Sequence, residues 1–174
     1  LDVGSDTEVA ITLDRADERD LLFIKRNSTK KINQENSISI FSSSPRRQYN
    51  LELFIKSYLP FKIKNIKFEN IRGNILTRFK KFTEGNVDGF VVAKAAIDRL
   101  LNADQNYFPD TKKNLLSYIN ECLWSVIPLS INPSSPGQGA LAVEIRTEDT
   151  DLKNILSKIN NMEDYKNVIL ERDE

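Results

Sequence analysis

The sequence predicts an α/β fold: a parallel or mixed sheet covered by helices. Three observations carry that expectation. A strand, a turn and an amphipathic helix follow one another repeatedly through the middle of the chain, and the strands are short, β-branched and bounded by serine, proline, glycine or asparagine. The chain has 174 residues, 40% hydrophobic and 29% charged, which suffices for one ordinary domain or two small lobes and argues against disorder.

Residues 7–13 (TEVAITL) alternate and are rich in β-branched side chains, as a strand requires, and run into the charged segment 14–20. Residues 21–24 form a second short strand. Residues 37–41 (SISIF) are a strand, followed by Ser42, Ser43, Ser44, Pro45, Arg46 and Arg47 and then by a helix to Tyr58 with Leu51, Phe54, Ile55 and Tyr58 along it. Proline suits the first helical position, where its missing N–H costs nothing, and serine before it is a favoured cap. The grammar repeats with a strand within 63–71, the turn Arg72-Gly73-Asn74, and a helix over 75–82 that carries Ile75, Phe79 and Phe82 on one face. Residues 87–92 read as a buried strand and 93–101 as a helix. The polar stretch 102–136 contains an expected helix over 111–123, with Cys122 on its amphipathic pattern as a small buried hydrophobe, and a loop from Asn132 to Pro136. Residues 140–145 (ALAVEI) are a further strand, and 150–160 and 165–170 read as helical.

Composition removes several classes of function. Lys+Arg and Asp+Glu both count 25, so the formal charge is zero and no overall field draws nucleic acid or anionic membrane. With no histidine and one cysteine, the usual zinc sites, Ser-His-Asp triads and Cys-His dyads each lack a member, and no metal is expected. A lone cysteine forbids an internal disulfide and fits a reducing compartment. No apolar run is long enough to span a bilayer, the first residues lack a signal-peptide pattern, and the expected location is the cytoplasm. Because the only methionine is Met162, the sequence is expected to be processed or a piece of a longer chain.

In open α/β sheets ligands bind outside the carboxyl ends of the strands, where turn amides and helix N-termini meet. Two such turns carry arginine: Arg46 and Arg47 in the first, Arg72 with Arg78 one helical turn on in the second. Free N–H groups, serine hydroxyls and guanidinium forks together suit carboxylate or phosphate, so a small polyanion is the expected ligand. The alternative is that these arginines are solvated or pair with nearby acids. Gly137-Gln138-Gly139 permits positive φ or close approach but lacks the rest of a dinucleotide fingerprint. Lys94 reads as a solvated or snorkelling lysine rather than a catalytic amine. The alternation of Lys and Ile over 62–67 is that of a strand with one wet face.

Three motifs together resemble the porphobilinogen deaminase family, also called hydroxymethylbilane synthase: Ser43-Ser44-Pro45-Arg46-Arg47-Gln48, Asn70-Ile71-Arg72-Gly73-Asn74 with Thr77-Arg78, and Pro136-Gly137-Gln138-Gly139-Ala140-Leu141-Ala142-Val143-Glu144. Arg19-Asp20 and Glu171-Arg172 also match family positions, so the resemblance spans nearly the whole chain. It implies a mixed five-stranded sheet flanked by helices, like one lobe of a type II periplasmic binding protein. It also implies a transferase of tetrapyrrole and haem biosynthesis, which joins porphobilinogen units into hydroxymethylbilane with release of ammonia, on a dipyrromethane cofactor held by a cysteine thioether. By this resemblance Ser43, Ser44, Arg46, Arg47, Arg72, Gly73, Asn74, Arg78 and Arg99 bind pyrrole acetates and propionates or the cofactor, and Gly137 with Gln138 contacts the pyrroles at a hinge. Partners are then porphobilinogen and linear pyrrole chains.

The family's Lys-Asp pair, which supplies the acid-base carboxylate, has no match here, and Cys122 does not align with the cofactor cysteine. Ala96 replaces a usual glycine, and 102–136 is longer than the family's connection. The expected organisation is a hinge strand over 1–13 from a missing first domain and a deaminase-like second domain over 14–135 with an inserted helix near 111–123. A returning strand and helix would occupy 136–162, and 163–174 would start a missing third domain. Such a segment would hold no catalytic group and be inactive alone, and its hinge strands would pair with each other or leave an open edge that favours self-association. A different class of reading is a non-catalytic binding or regulatory module for a small polycarboxylate; a more remote one is a single-lobed sensor domain.

Overall fold

β-Branched runs and turn residues produce most of the strands where the sequence puts them, and the computed structural model describes residues 4–104, 106 and 109–173. In chain order the elements are β1 (Thr7–Thr12), β2 (Asp20–Lys25), α1 (Thr29–Glu35), β3 (Ser37–Phe41), α2 (Pro45–Tyr58), β4 (Asn65–Glu69) and α3 (Ile75–Glu84). They continue with β5 (Gly89–Ala93), α4 (Lys94–Leu101), α5 (Thr111–Asn120), β6 (Cys122–Ile127), β7 (Ala142–Arg146), α6 (Thr150–Leu156) and α7 (Met162–Asp173). The chain forms two units, one of Arg19–Pro133 and one of Leu1–Glu18 with Ser134–Glu174.

In the first unit five strands hydrogen-bond in the order β4-β3-β5-β2-β6. β3 is parallel to β4 and β5, while β2 is antiparallel to β5 and β6, so the sheet is mixed. Successive strand residues face opposite sides, and β2 uses both. Leu22 and Ile24 enter a cluster with Ile38, Ile40, Leu51 and Ile55, while Leu21 and Phe23 enter another with Phe79, Phe82, Phe90 and Leu115. Both faces of the sheet are thus covered. Burial on both faces explains why LLFI and GFVVA read as continuous apolar runs.

The other unit is a two-stranded ribbon, β1 antiparallel to β7, with a bulge between Val9 and Ile11. The two terminal strands therefore pair with each other. Ala10, Ile11 and Ile145 form its small core, with Leu13, Val143 and Leu156 against them. The helix expected over 150–160 is α6 followed by a 3-10 turn, Ser157–Ile159. The final helix begins at Met162, three positions earlier than expected. Among the described residues no helix is long and apolar enough to cross a membrane.

One expected element is corrected. The helix over 111–123 ends at Asn120, and Cys122 opens the edge strand β6 rather than closing a helix. Leu115, Tyr118, Ile119 and Cys122 keep helical spacing, so periodicity alone extends the helix too far. The segment CLWSVI is β-branched and aromatic, and its pairing to β2, with Trp124 opposite Phe23 and Leu123 opposite Ile24, decides its state. The expectation that Cys122 is a buried small hydrophobe holds, at 0% exposure. The helix α1 has no counterpart in the sequence reading, because Ile32 is its single buried side chain and leaves no periodic signal. It ends at Asn36 in the left-handed conformation, φ 50°, a favoured C-terminal stop.

Candidate functional site

The parallel neighbours β3 and β4 end at the same edge of the sheet, and each leads into a helix there. Pro45 occupies the first turn of α2, and Ser44 Oγ caps it by accepting from the Arg47 amide at 3.4 Å. Asn74 Oδ1 caps α3 by accepting from the Thr77 amide at 2.8 Å. Gly73 is required between strand and cap. Its φ is +125°, and a Cβ there would come 2.9 Å from Thr77 Cγ2.

The two turns are tied together. Ser43 Oγ donates to the Ile71 carbonyl at 2.9 Å and accepts from the Ile71 amide at 2.8 Å, and the Ser42 amide donates to the Glu69 carbonyl at 2.9 Å. The residues predicted from the two motifs, Ser43 to Arg47 and Arg72 to Arg78, therefore share one edge. The hydroxyls of Ser43 and Ser44 are both engaged in holding the turns.

The arginines divide into two kinds. Arg47 forms a fork on Asp20, with Nε donating to Oδ2 at 2.9 Å and Nη2 to Oδ1 at 2.8 Å. Arg46 Nη2 donates to Asp20 Oδ2 at 3.2 Å, and its Nη1 donates to Asn132 Oδ1 at 3.1 Å and to the Pro133 carbonyl. Asn132 Nδ2 completes the group by donating to Asp20 Oδ2 at 2.8 Å. Asp20 is 0% and Asn132 1% exposed. Burial alone pushes the Asp20 carboxyl up, but the Arg47 fork, the Asn132 amide and the Arg46 charge outweigh it and leave it below the usual carboxylate range. Arg46 and Arg47 thus pair with an acid, as one of the two readings of the sequence had it.

Arg72 is exposed and makes no ion pair among the described residues. Arg78 is half-buried, its Nε donating to the Gly73 carbonyl at 2.6 Å, which draws the guanidinium back over the start of α3. Arg99 is exposed in the last turn of α4. Lys94 is half-buried and pairs with Asp98 at 2.5 Å along α4.

Gly137 and Gln138 lie in the other unit, within a locked turn. Arg15 grips Glu171 through Nη1 at 2.5 Å and Nη2 at 2.9 Å, and Glu171 Oε2 also accepts from the Gly137 amide at 2.9 Å. Arg15 Nε donates to the Gln138 carbonyl at 3.1 Å, and the Gln138 side chain donates to the Glu18 carbonyl. Arg15 lowers the Glu171 carboxyl against the opposing effect of burial, with help from the Gly137 amide. Gly139, at φ +89°, passes so near the chain that a Cβ would lie 2.3 Å from the Ala16 carbonyl oxygen. Here the glycine serves close approach of the protein's own backbone.

Asp20, Asn132 and Arg15 were not singled out as site residues. Asp20 left a signal, a charge opening the apolar run LLFI. Asn132 left none beyond its place in a proline-serine loop.

The family model for porphobilinogen deaminase, dipyromethane cofactor binding domain, matches residues 2–154. A porphobilinogen deaminase of Caldicellulosiruptor saccharolyticus is 33% identical over 172 residues, covering 98% of this chain and 50% of the relative. A probable porphobilinogen deaminase of Methanocaldococcus jannaschii is 32% identical, covering 94% of this chain and 47% of the relative. The chain spans about half the length of the curated relatives it matches. An arginine transport periplasmic binding protein of Legionella pneumophila aligns over 87% of this chain and 55% of its own at 10% identity, with a TM-score of 0.36, too low to bear on the fold. The family match over residues 2–154, with the arginine turns that it contains, makes this chain a member of the porphobilinogen deaminase family.

Proposed function

We propose that the chain works as part of a porphobilinogen deaminase, a transferase that joins four porphobilinogen units head to tail into hydroxymethylbilane with release of ammonia. Its larger unit is the second of three domains and binds the acetate and propionate groups of the pyrroles. The paired terminal strands lead toward a first domain, and the last residues toward a third. The observation that supports this most directly is the Ser43 bridge, which joins the arginine-bearing turns at the carboxyl edge of β3 and β4.

The donor chemistry suits a dipyrromethane, whose side chains are carboxylates. Arg72, Arg78, the α3 N-terminus and Arg47 offer cationic and N–H donors at one edge of one sheet. The thioether is a different matter, since Cys122 is fully buried within the larger unit and cannot carry it. When bound, the cofactor supplies the pyrrole end to which new units are added. The residues of this chain orient the acids and balance their charge, which is positioning and electrostatic stabilisation. The protein works in the cytoplasm, and in isolation it self-associates through the hinge strands β1 and β7, which form a ribbon of only two strands.

Calorimetric titration of the 174-residue chain with porphobilinogen tests the reading. Arg72→Ala and Arg78→Ala should each weaken binding by roughly 1.5–3 kcal/mol, the range for a charged hydrogen bond. No binding by the wild type, or unchanged affinity in both variants, overturns it. Light scattering against concentration tests self-association; a wild type that stays monomeric counts against it.

A further inference from the structure

We propose that Asp20 and Asn132 are positioning residues that hold Arg46 and Arg47 in a fixed geometry for an anionic ligand. This rests on the carboxylate-binding reading above.

Asp20 is anchored on both sides, opening β2 opposite Ala93 of β5 and Ile127 of β6. Its carboxylate is therefore a rigid reference point inside the sheet. A wholly buried carboxylate is unfavourable unless its oxygens are satisfied, and here Arg47 Nε and Nη2, Arg46 Nη2 and Asn132 Nδ2 all donate to it. The fork geometry fixes the plane of the Arg47 guanidinium as well as its place. It consumes the Nε and Nη2 edge and leaves Nη1 with no acceptor among the described residues, on a side chain that is 18% exposed.

Arg46 is held from two directions. Asp20 takes Nη2, while the Asn132 side-chain oxygen takes Nη1 and itself accepts from Asn50 Nδ2 at 3.4 Å. Asn132 thus accepts from one arginine while donating to the carboxylate that holds both. Long arginine side chains lose rotamer freedom when a ligand immobilises them. Side chains already locked against a buried acid have lost it on folding, so the ligand does not. This separates the arginines by role: Arg46 and Arg47 are prearranged from within, whereas Arg72 stays exposed and adapts to the ligand.

The test compares the full 174-residue chain with Asp20→Asn, which keeps shape and removes charge, and Asn132→Ala. Two readouts are needed: porphobilinogen affinity, and the Arg Nε–H resonances of the ligand-free protein by 15N NMR. In Asp20→Asn the Arg47 Nε–H should lose its protection from exchange, and porphobilinogen should bind on the order of tenfold more weakly. Asn132→Ala should loosen Arg46 with a smaller loss of affinity, and it carries the test if Asp20→Asn does not fold. Unchanged Nε–H protection in the folded variants overturns the proposal. So does an affinity that is unchanged or higher in Asp20→Asn, because Asp20 would then be a bystander or a competitor for the arginines. If wild type fails to bind porphobilinogen while Arg47 still loosens in Asp20→Asn, the ligand reading falls and the positioning role of Asp20 is upheld.

Discussion

The two units of this chain are stabilised by different means. The larger unit covers both faces of a five-stranded sheet, with Phe23, Phe79, Phe82 and Phe90 fully buried and in edge or tilted ring contacts on one of them. The smaller unit has a two-stranded ribbon and, among the described residues, buries Ala10, Ile11, Ile145 and Val168, while Leu141, Leu152, Ile155, Ile159, Met162 and Leu170 stay exposed. A ribbon of two strands is marginal by itself. Polar ties add to it. The Arg15–Glu171 fork and the Asp164 carboxylate on the Arg15 amide fix one end, and Asn160 on the Thr12 amide and the Tyr165 hydroxyl on the Val9 carbonyl fix the rest. The contrast lies in buried apolar content, since both units keep large apolar side chains exposed, Tyr49, Leu53 and Trp124 among them on the larger.

The strongest way to break that contrast is a pair of truncations. Phe79→Ala should destabilise the larger unit by about 3–5 kcal/mol, the transfer loss plus a cavity. Ile155→Ala, 63% exposed, should stay within about 0.5 kcal/mol. Urea denaturation of both variants checks this, and equal losses would mean that Ile155 is covered in solution.

Next in size are the two acids. Removing Asp20 leaves two arginines facing a buried void, so Asp20→Ala should cost about 3 kcal/mol. Glu171 is 36% exposed, and solvent screens its pair with Arg15, so Glu171→Ala should cost only about 1 kcal/mol. A Glu171 variant as damaging as the Asp20 one would show that the polar tie, rather than the ribbon, organises the smaller unit.

Acid titration sharpens the same comparison. Both carboxyls lie below their ordinary values in the folded chain, so each contributes stability that is complete above its unfolded pKa and is lost as pH falls through the folded one. The unfolded values are about 3.9 for aspartate and 4.3 for glutamate. Stability should therefore hold from neutral pH down to about pH 5 and decline below that, and Asp20→Asn should flatten the decline more than Glu171→Gln. Chemical denaturation at a series of pH values measures it; a decline that begins near neutral pH would contradict the assignment.

Much of the larger unit was legible because local and tertiary preferences agree there. Ser44-Pro45 marks the start of α2, Asn74 the start of α3, and both helices begin where those caps place them. What could not be read depended on partners distant in sequence. Cys122 to Ile127 becomes a strand because β2 pairs with it, and no periodicity announces that pairing. The arginine turns were legible, but the inward hold on Arg46 and Arg47 was not, since Asp20 and Asn132 are 112 positions apart and meet only in the fold. The GQG turn was legible as a turn, although the backbone that Gly139 admits, at Ala16, was not.

The smallest expected effect concerns Cys122, the one thiol in the chain. It is fully buried in β6, within the larger unit, and its Sγ donates to the Tyr118 carbonyl at 3.3 Å. Burial, reinforced by the Glu121 charge, pushes the thiol up to about 11 against the opposing pull of Lys25 and Arg26. The reactive species is the thiolate, so at pH 8 the native thiol should react with iodoacetamide roughly two orders of magnitude more slowly than an ordinary exposed one. That reactivity reports opening of the larger unit, because no other thiol competes. In low denaturant the amides of β1 should exchange with deuterium before Cys122 becomes reactive, if the ribbon frays while the five-stranded sheet stays closed. Should alkylation and β1 exchange rise together, the two units unfold as one, and the lesser buried apolar content of the smaller unit would not make it the weaker partner.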